Sequence, residues 1–97
     1  RSAVEAAGRR ALVVETDVGD TASVDALVDA ALTAFGRVDI ALANAAFARR
    51  RRSVELDDAA WHQTVNIDLQ GVWRVFRAAL PPMTAAGFGR LLATAST

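Results

Sequence analysis

Val38-Asp39-Ile40-Ala41-Leu42-Ala43-Asn44-Ala45-Ala46 is the stretch on which the fold turns. Residues 40–43 are apolar without interruption, and only Asp39 near the start is polar. A strand with no polar face belongs inside a parallel sheet covered by helices. The strand expected here spans 38–43. Gly36-Arg37 breaks the chain before it. Asn44 and the two alanines that follow sit where the strand delivers its carboxyl end. In open α/β sheets, that end is where ligands bind.

The flanking segments alternate around this strand. Residues 1–10 read as the end of a helix stopped by Gly8. Ala11-Leu12-Val13-Val14-Glu15-Thr16 is rich in β-branched residues and predicts a strand over 11–16. Asp17-Val18-Gly19-Asp20 follows as a turn, and Asp20 or Thr21 can cap the next helix. Val24, Leu27, Val28, Ala31, Leu32 and Phe35 form its apolar stripe, and Gly36 ends it. Beyond the central strand lies a loop carrying Arg49, Arg50, Arg51 and Arg52. Asp57 or Asp58 then caps a long helix over 58–80, with the stripe Trp61, Val65, Leu69, Val72, Trp73, Phe76 and Leu80. Pro81-Pro82, lacking two backbone donors, should kink or interrupt it. Gly87 and Gly89 close the segment, and residues 90–96 form a third strand. This alternation implies an α/β fold with a parallel sheet and right-handed crossovers.

Composition removes several functions. A chain of 97 residues holds at most one small domain. At 53% hydrophobic and 23% charged residues it is globular. Eleven basic and eleven acidic residues cancel, so the chain as a whole does not attract nucleic acid or an anionic membrane. No cysteine is present, which excludes disulfides and thiolate metal sites. His62 alone cannot build a histidine-rich metal site. No apolar run reaches the roughly 20 residues of a membrane helix. No signal peptide opens the chain, so a cytoplasmic location is the default expectation. All eleven basic residues are arginines, and tyrosine is missing too. Lysine- or tyrosine-based acid–base chemistry therefore cannot come from this polypeptide.

These motifs together resemble the short-chain dehydrogenase/reductase family over essentially all 97 residues. Asp17-Val18 is similar to the family's Asp-Val pair after its third strand. Ala43-Asn44-Ala45-Ala46 aligns with the Asn-Asn-Ala-Gly turn. Val65-Asn66 followed by Gly71 resembles the segment of the catalytic asparagine. Leu80-Pro81-Pro82-Met83 resembles a Leu-Pro-x-Met helix end. Gly89-Arg90-Leu91-Leu92-Ala93-Thr94-Ala95-Ser96 aligns with Gly-Arg-Ile-Val-Asn-Ile-Ser-Ser. The departures are alanines: Ala43 stands for asparagine, Ala46 for glycine, and Ala93 and Ala95 for polar residues. A methyl group at Ala46 would be strained if the position needed positive φ. The glycine-rich phosphate loop and the Tyr-x-x-x-Lys pair of the family do not occur in this sequence.

The resemblance implies a Rossmann-like doubly wound parallel sheet of order 3-2-1-4-5. This chain would hold three of its strands, with intervening helices, as part of a single dinucleotide-binding domain. It implies an NAD(P)-dependent oxidoreductase that moves a hydride between nicotinamide and an alcohol or ketone. Asn66 would hold a water in a proton relay, and Ser96 would donate a hydrogen bond to the substrate oxygen. Asp17 and Val18 would contact adenine, and Asn44, Ala45 and Ala46 would line the cofactor site. The long helix would pack against its copy, giving a homodimer or homotetramer.

Plainer roles compete with these. Asp17 could be an ordinary turn residue, and Asn44 could tie neighbouring loops together. Asn66 could be a solvated helix residue, although mid-helix asparagine is mildly unfavourable. The four arginines read as a solvated loop. The alternative reading of the whole is a non-catalytic Rossmann-like nucleotide-binding or oligomerisation module. Within enzymes, a sugar-nucleotide epimerase or dehydratase shares the fold. A tyrosine about a dozen residues past Ser96, with lysine four later, would favour the dehydrogenase by resemblance. The 97 residues alone are expected to be an unstable fragment without turnover.

Overall fold

Two short strands, β1 (Ile40–Ala43) and β2 (Arg90–Ala93), lie side by side and run in the same direction. The pairing is in register, from Ile40 against Arg90 to Ala43 against Ala93. The ladder reaches past both assigned ends. The Arg90 N–H donates to the Asp39 carbonyl at 2.9 Å, and the Thr94 N–H donates to the Ala43 carbonyl at 3.1 Å. The computed structural model describes residues 1–46 and 53–95. Arg49, Arg50, Arg51, Arg52 and Ser96 lie outside the described residues.

The helices form where their caps and stripes direct. A short α1 (Ser2–Ala6) ends near Gly8, which takes φ of +81°. α2 (Thr21–Phe35) begins at Asp20, whose Oδ1 accepts from the Ala22 N–H at 3.2 Å. It ends at Gly36, also at φ +81°, whose N–H donates to the Leu32 carbonyl at 2.8 Å. α3 (Asp58–Thr64) is capped by Asp57, with Oδ1 accepting from the Ala60 N–H at 2.8 Å. The helix then widens into a π-helical segment, Val65–Gln70, and continues as α4 (Gly71–Ala86).

Three expectations are corrected. Residues 11–16 form no strand, because no other described segment offers them a ladder; the sheet has two strands, not three. Backbone hydrogen bonding across strands, more than β-propensity, makes a strand. The central strand is not buried on both faces: Ile40 and Leu42 are 62% and 57% exposed. α4 covers the face of Ala41, Leu91 and Ala43, and no described element covers the other. The helix is not interrupted at Pro81-Pro82, since α4 runs through both to Ala86. Proline's fixed φ is already helical, and packing of α4 on α2 and β1 holds the helix through the two missing donors and the crowding of the preceding turn by the rings. Pro81 and Pro82 also wall a groove against Val28 and Leu32 of α2.

The aromatic stripe of the long helix, read from the sequence as core or subunit interface, lies largely outside the core of this chain. Trp61, Leu69, Trp73 and Leu80 are all exposed. The residues buried on this helix are Ala60, Gly71, Ala79 and Met83. Small side chains at Ala60, Gly71 and Ala79 let it approach its neighbours closely, with Met83 buried beside them and Val65, Val72 and Phe76 half-buried.

Candidate active site

The crossover from β1 to β2 brings the carboxyl ends of both strands to one place. There a cleft of about 460 Å³ opens, lined by Ala43, Asn44, Ala45, Ala46, Asp68, Val72, Thr94 and Ala95. Asn44, Ala45 and Ala46 therefore meet in one cleft, as their adjacency to the strand end led us to expect. The Thr94 hydroxyl donates to Asn44 Oδ1 at 2.6 Å and fastens the turns after the two strands to each other. Asn44 thus has the tying role while it also lines the cleft. No residue other than glycine has positive φ among the described residues, so Ala46 sits there without backbone strain.

A second cluster lies at the junction of α2 with the π-helical segment. Asp17 Oδ1 accepts from the Gly19 N–H at 2.8 Å, and the Asp17 N–H donates to Ser23 Oγ at 2.8 Å. Asp17 is exposed, and its carboxylate shapes the turn in the plain manner open to it. Val18 is half-buried and packs where α4 begins at Gly71. A Cβ at Gly71 would lie 3.1 Å from Val18 Cγ2, so the absence of a side chain there admits Val18.

Asn66 belongs to this cluster. Its Nδ2 donates to the Gly19 carbonyl at 3.2 Å, across 47 residues of sequence. Its Oδ1 accepts from Arg74 Nη2 at 2.5 Å, and its backbone carbonyl accepts from Arg74 Nη1 at 2.9 Å. Asn66 lies in the π-helical segment, which is wider than the helix on either side. Thr64 Oγ1 donates back to the Ala60 carbonyl at 2.9 Å just before the widening. Such back-bonding loosens a helix, and single π turns recur at functional sites. Asp68 and Val72, from this segment and the start of α4, reach the cleft at the strand ends, so one stretch of helix serves both clusters.

Sequence reasoning gave Asp17 and Val18 to the adenine side and Asn66, with Ser96, to the chemistry, without placing Asn66 beside the 17–19 turn, and it left out Gly19, Arg74, Thr94 and Asp68. The available signal for Arg74 was a single charge inside the apolar run Val72-Trp73-Arg74-Val75-Phe76. Ser96 lies outside the described residues.

A family model described as Enoyl-(Acyl carrier protein) reductase matches residues 1–97. The chain belongs to the short-chain dehydrogenase/reductase family. This short-chain dehydrogenase/reductase chain is 40% identical over 95 residues to an uncharacterized NAD-dependent oxidoreductase of Mycobacterium tuberculosis, covering 98% of this chain and 34% of that protein. It is 45% identical over 95 residues to cis-4-hydroxycyclohexanecarboxylate dehydrogenase of Sinomonas cyclohexanicum, covering 97% of this chain and 38% of that one. Its fold matches an alcohol dehydrogenase of the archaeon Thermococcus sibiricus, solved with 5-hydroxy-NADP. That match has a TM-score of 0.88 and 29% identity over 98% of this chain and 40% of the other. The chain therefore spans roughly a third of the length of the curated relatives it matches.

Proposed function

We propose that this chain contributes the strand ends and helical wall of the cofactor site in an NAD(P)-dependent oxidoreductase acting on a small alcohol or ketone. The observation that carries the reading is the parallel β1–β2 pair, with a cleft at its carboxyl ends lined by Asn44, Ala45, Ala46 and Thr94. Open α/β sheets bind nucleotides at that end. The residues present fit such a group. Four alanines narrow nothing by side-chain bulk and leave the backbone of the turn approachable, and Asn44 and Thr94 supply polar atoms.

In this reading Asn44, Ala45 and Ala46 hold the cofactor along the strand ends, and Asp17 and Val18 meet its adenine. When bound, nicotinamide supplies the hydride acceptor or donor. By the family resemblance Asn66 takes the relay water and Ser96 the hydrogen bond to the substrate oxygen, while Asp68 of the same helical segment is the residue that lines the cleft. A second copy of the chain packs on the long helix. A groove of about 800 Å³ beside its exposed Trp73 supports that, lined also by Phe76, Leu80 and Leu91.

The test is made on the protein that carries these 97 residues in its source. Purified protein is mixed with NAD or NADP and a panel of alicyclic secondary alcohols, and reduced cofactor is followed by absorbance. Turnover with at least one pair is expected. Tight binding of NADH without turnover would instead support the non-catalytic nucleotide-binding module. No binding of either cofactor would overturn the reading.

A further inference from the structure

We propose that Arg74 is a positioning residue, which ties the adenine-side turn at 17–21 to Asn66 so that the two parts of the site move as one. This rests on the cofactor reading above. The Arg74 guanidinium is half-buried and reaches three elements. Nε donates to Thr21 Oγ1 at 3.3 Å, at the first turn of α2. Nη1 donates to the Val18 carbonyl at 3.0 Å and the Asn66 carbonyl at 2.9 Å. Nη2 donates to Asn66 Oδ1 and, at 3.3 Å, to Gln70 Oε1.

The arrangement uses properties that only arginine has. The guanidinium is planar, always charged, and presents five donors in a fixed fork. Five acceptors from two separate backbone stretches converge on it. Long helical side chains lean toward the helix N-terminus, which is how a residue of α4 reaches back to Asn66. The contacts also fix the Asn66 amide. Its oxygen faces the guanidinium and its NH2 faces the Gly19 carbonyl; the flipped amide would set donor against donor. Gly19 is close enough that a Cβ there would lie 2.8 Å from Asn66 Nδ2. Arg74, Asn66 and the 17–19 turn thus form a closed circuit of hydrogen bonds.

The test compares Arg74→Met, Arg74→Lys and Arg74→Ala in the protein that carries this segment. The first readout needs no cofactor. Amide hydrogen exchange in R74M should rise at 17–21 and 65–70 and stay unchanged in β1 and β2. Unchanged exchange at 17–21 overturns the proposal. The second readout is kinetic. In R74M, KM for the cofactor should rise and kcat should fall, each by roughly tenfold. R74K keeps the charge without the fork and should recover only part of the loss. Ethylguanidinium added to R74A should restore kcat and bring hydrogen exchange at 17–21 back toward that of the wild type. Wild-type turnover with R74M kinetics identical to it overturns the proposal. If the wild type binds no nicotinamide cofactor, the oxidoreductase reading fails, and hydrogen exchange by itself decides whether Arg74 couples the two segments.

Discussion

Asn66 is gripped on both sides of its amide, by a backbone carbonyl and by a guanidinium. Replacing it with alanine removes an acceptor from a half-buried charge and a donor from the Gly19 carbonyl. The expected loss of stability is about 1–3 kcal/mol, read from chemical denaturation. N66D separates the two contacts. The carboxylate keeps Arg74 as a partner but cannot donate to Gly19, so it faces that carbonyl with repulsion. N66D should therefore retain most of the stability that N66A loses, while both variants lower kcat by roughly one to two orders of magnitude. Equal kcat in wild type and N66D would remove Asn66 from the chemistry. Asn66 was legible in the sequence because asparagine fits poorly in a helix interior. Arg74 was not, because a lone arginine in a helix ordinarily reads as a solvated charge. Its acceptors lie up to 56 residues away, at Val18, beyond the reach of local pattern.

The helical elements show how a backbone change can serve a site. α3, the π-helical segment and α4 form one continuous rod from Asp58 to Ala86. Its start was readable from Asp57, because capping is local chemistry, whereas its end was placed at 80 by the proline pair and the helix runs on to Ala86 and its Gly87 cap. The widening at 65–70 was not readable, since the partner of Asn66 within it lies in the distant 17–21 turn. The proline pair misled in the opposite sense: the packing of α4 on α2 and β1 outweighs two missing donors. Gly71 gives a test at this scale. Gly71→Ala places a methyl against Val18, which must shift by a few tenths of an ångström. Overpacking of that kind costs about 1–3 kcal/mol. We expect G71A to raise KM for the cofactor more than it lowers kcat, because Val18 lies on the proposed adenine side. A change confined to kcat would place the strain elsewhere.

For the molecule as a whole, the decisive quantity is how little is covered. The buried hydrophobic residues among those described are Val24, Ala43, Ala60, Ala79 and Met83. Three of these are alanines. Ile40, Leu42 and Leu92 share one uncovered face of the sheet. The parallel direction of the strands was legible from the apolar run and the βαβ alternation, and their partnership from the resemblance to the family. The missing cover on the second face was not, because periodicity reports what a strand suits and not what lies over it. The 97-residue chain expressed by itself should bind a hydrophobic dye such as ANS and melt without a sharp transition. A cooperative melt above about 60 °C would contradict this.

β1 and β2 meet only after the chain has travelled through the long helical rod and the closing turn. That fixes an order in time. Local helix formation can proceed early, while the strands must wait for a distant partner, a slow step in any protein built on non-local pairing. Changes within the rod should therefore alter how quickly the native state is reached. Changes within the strands should alter mainly how long it lasts.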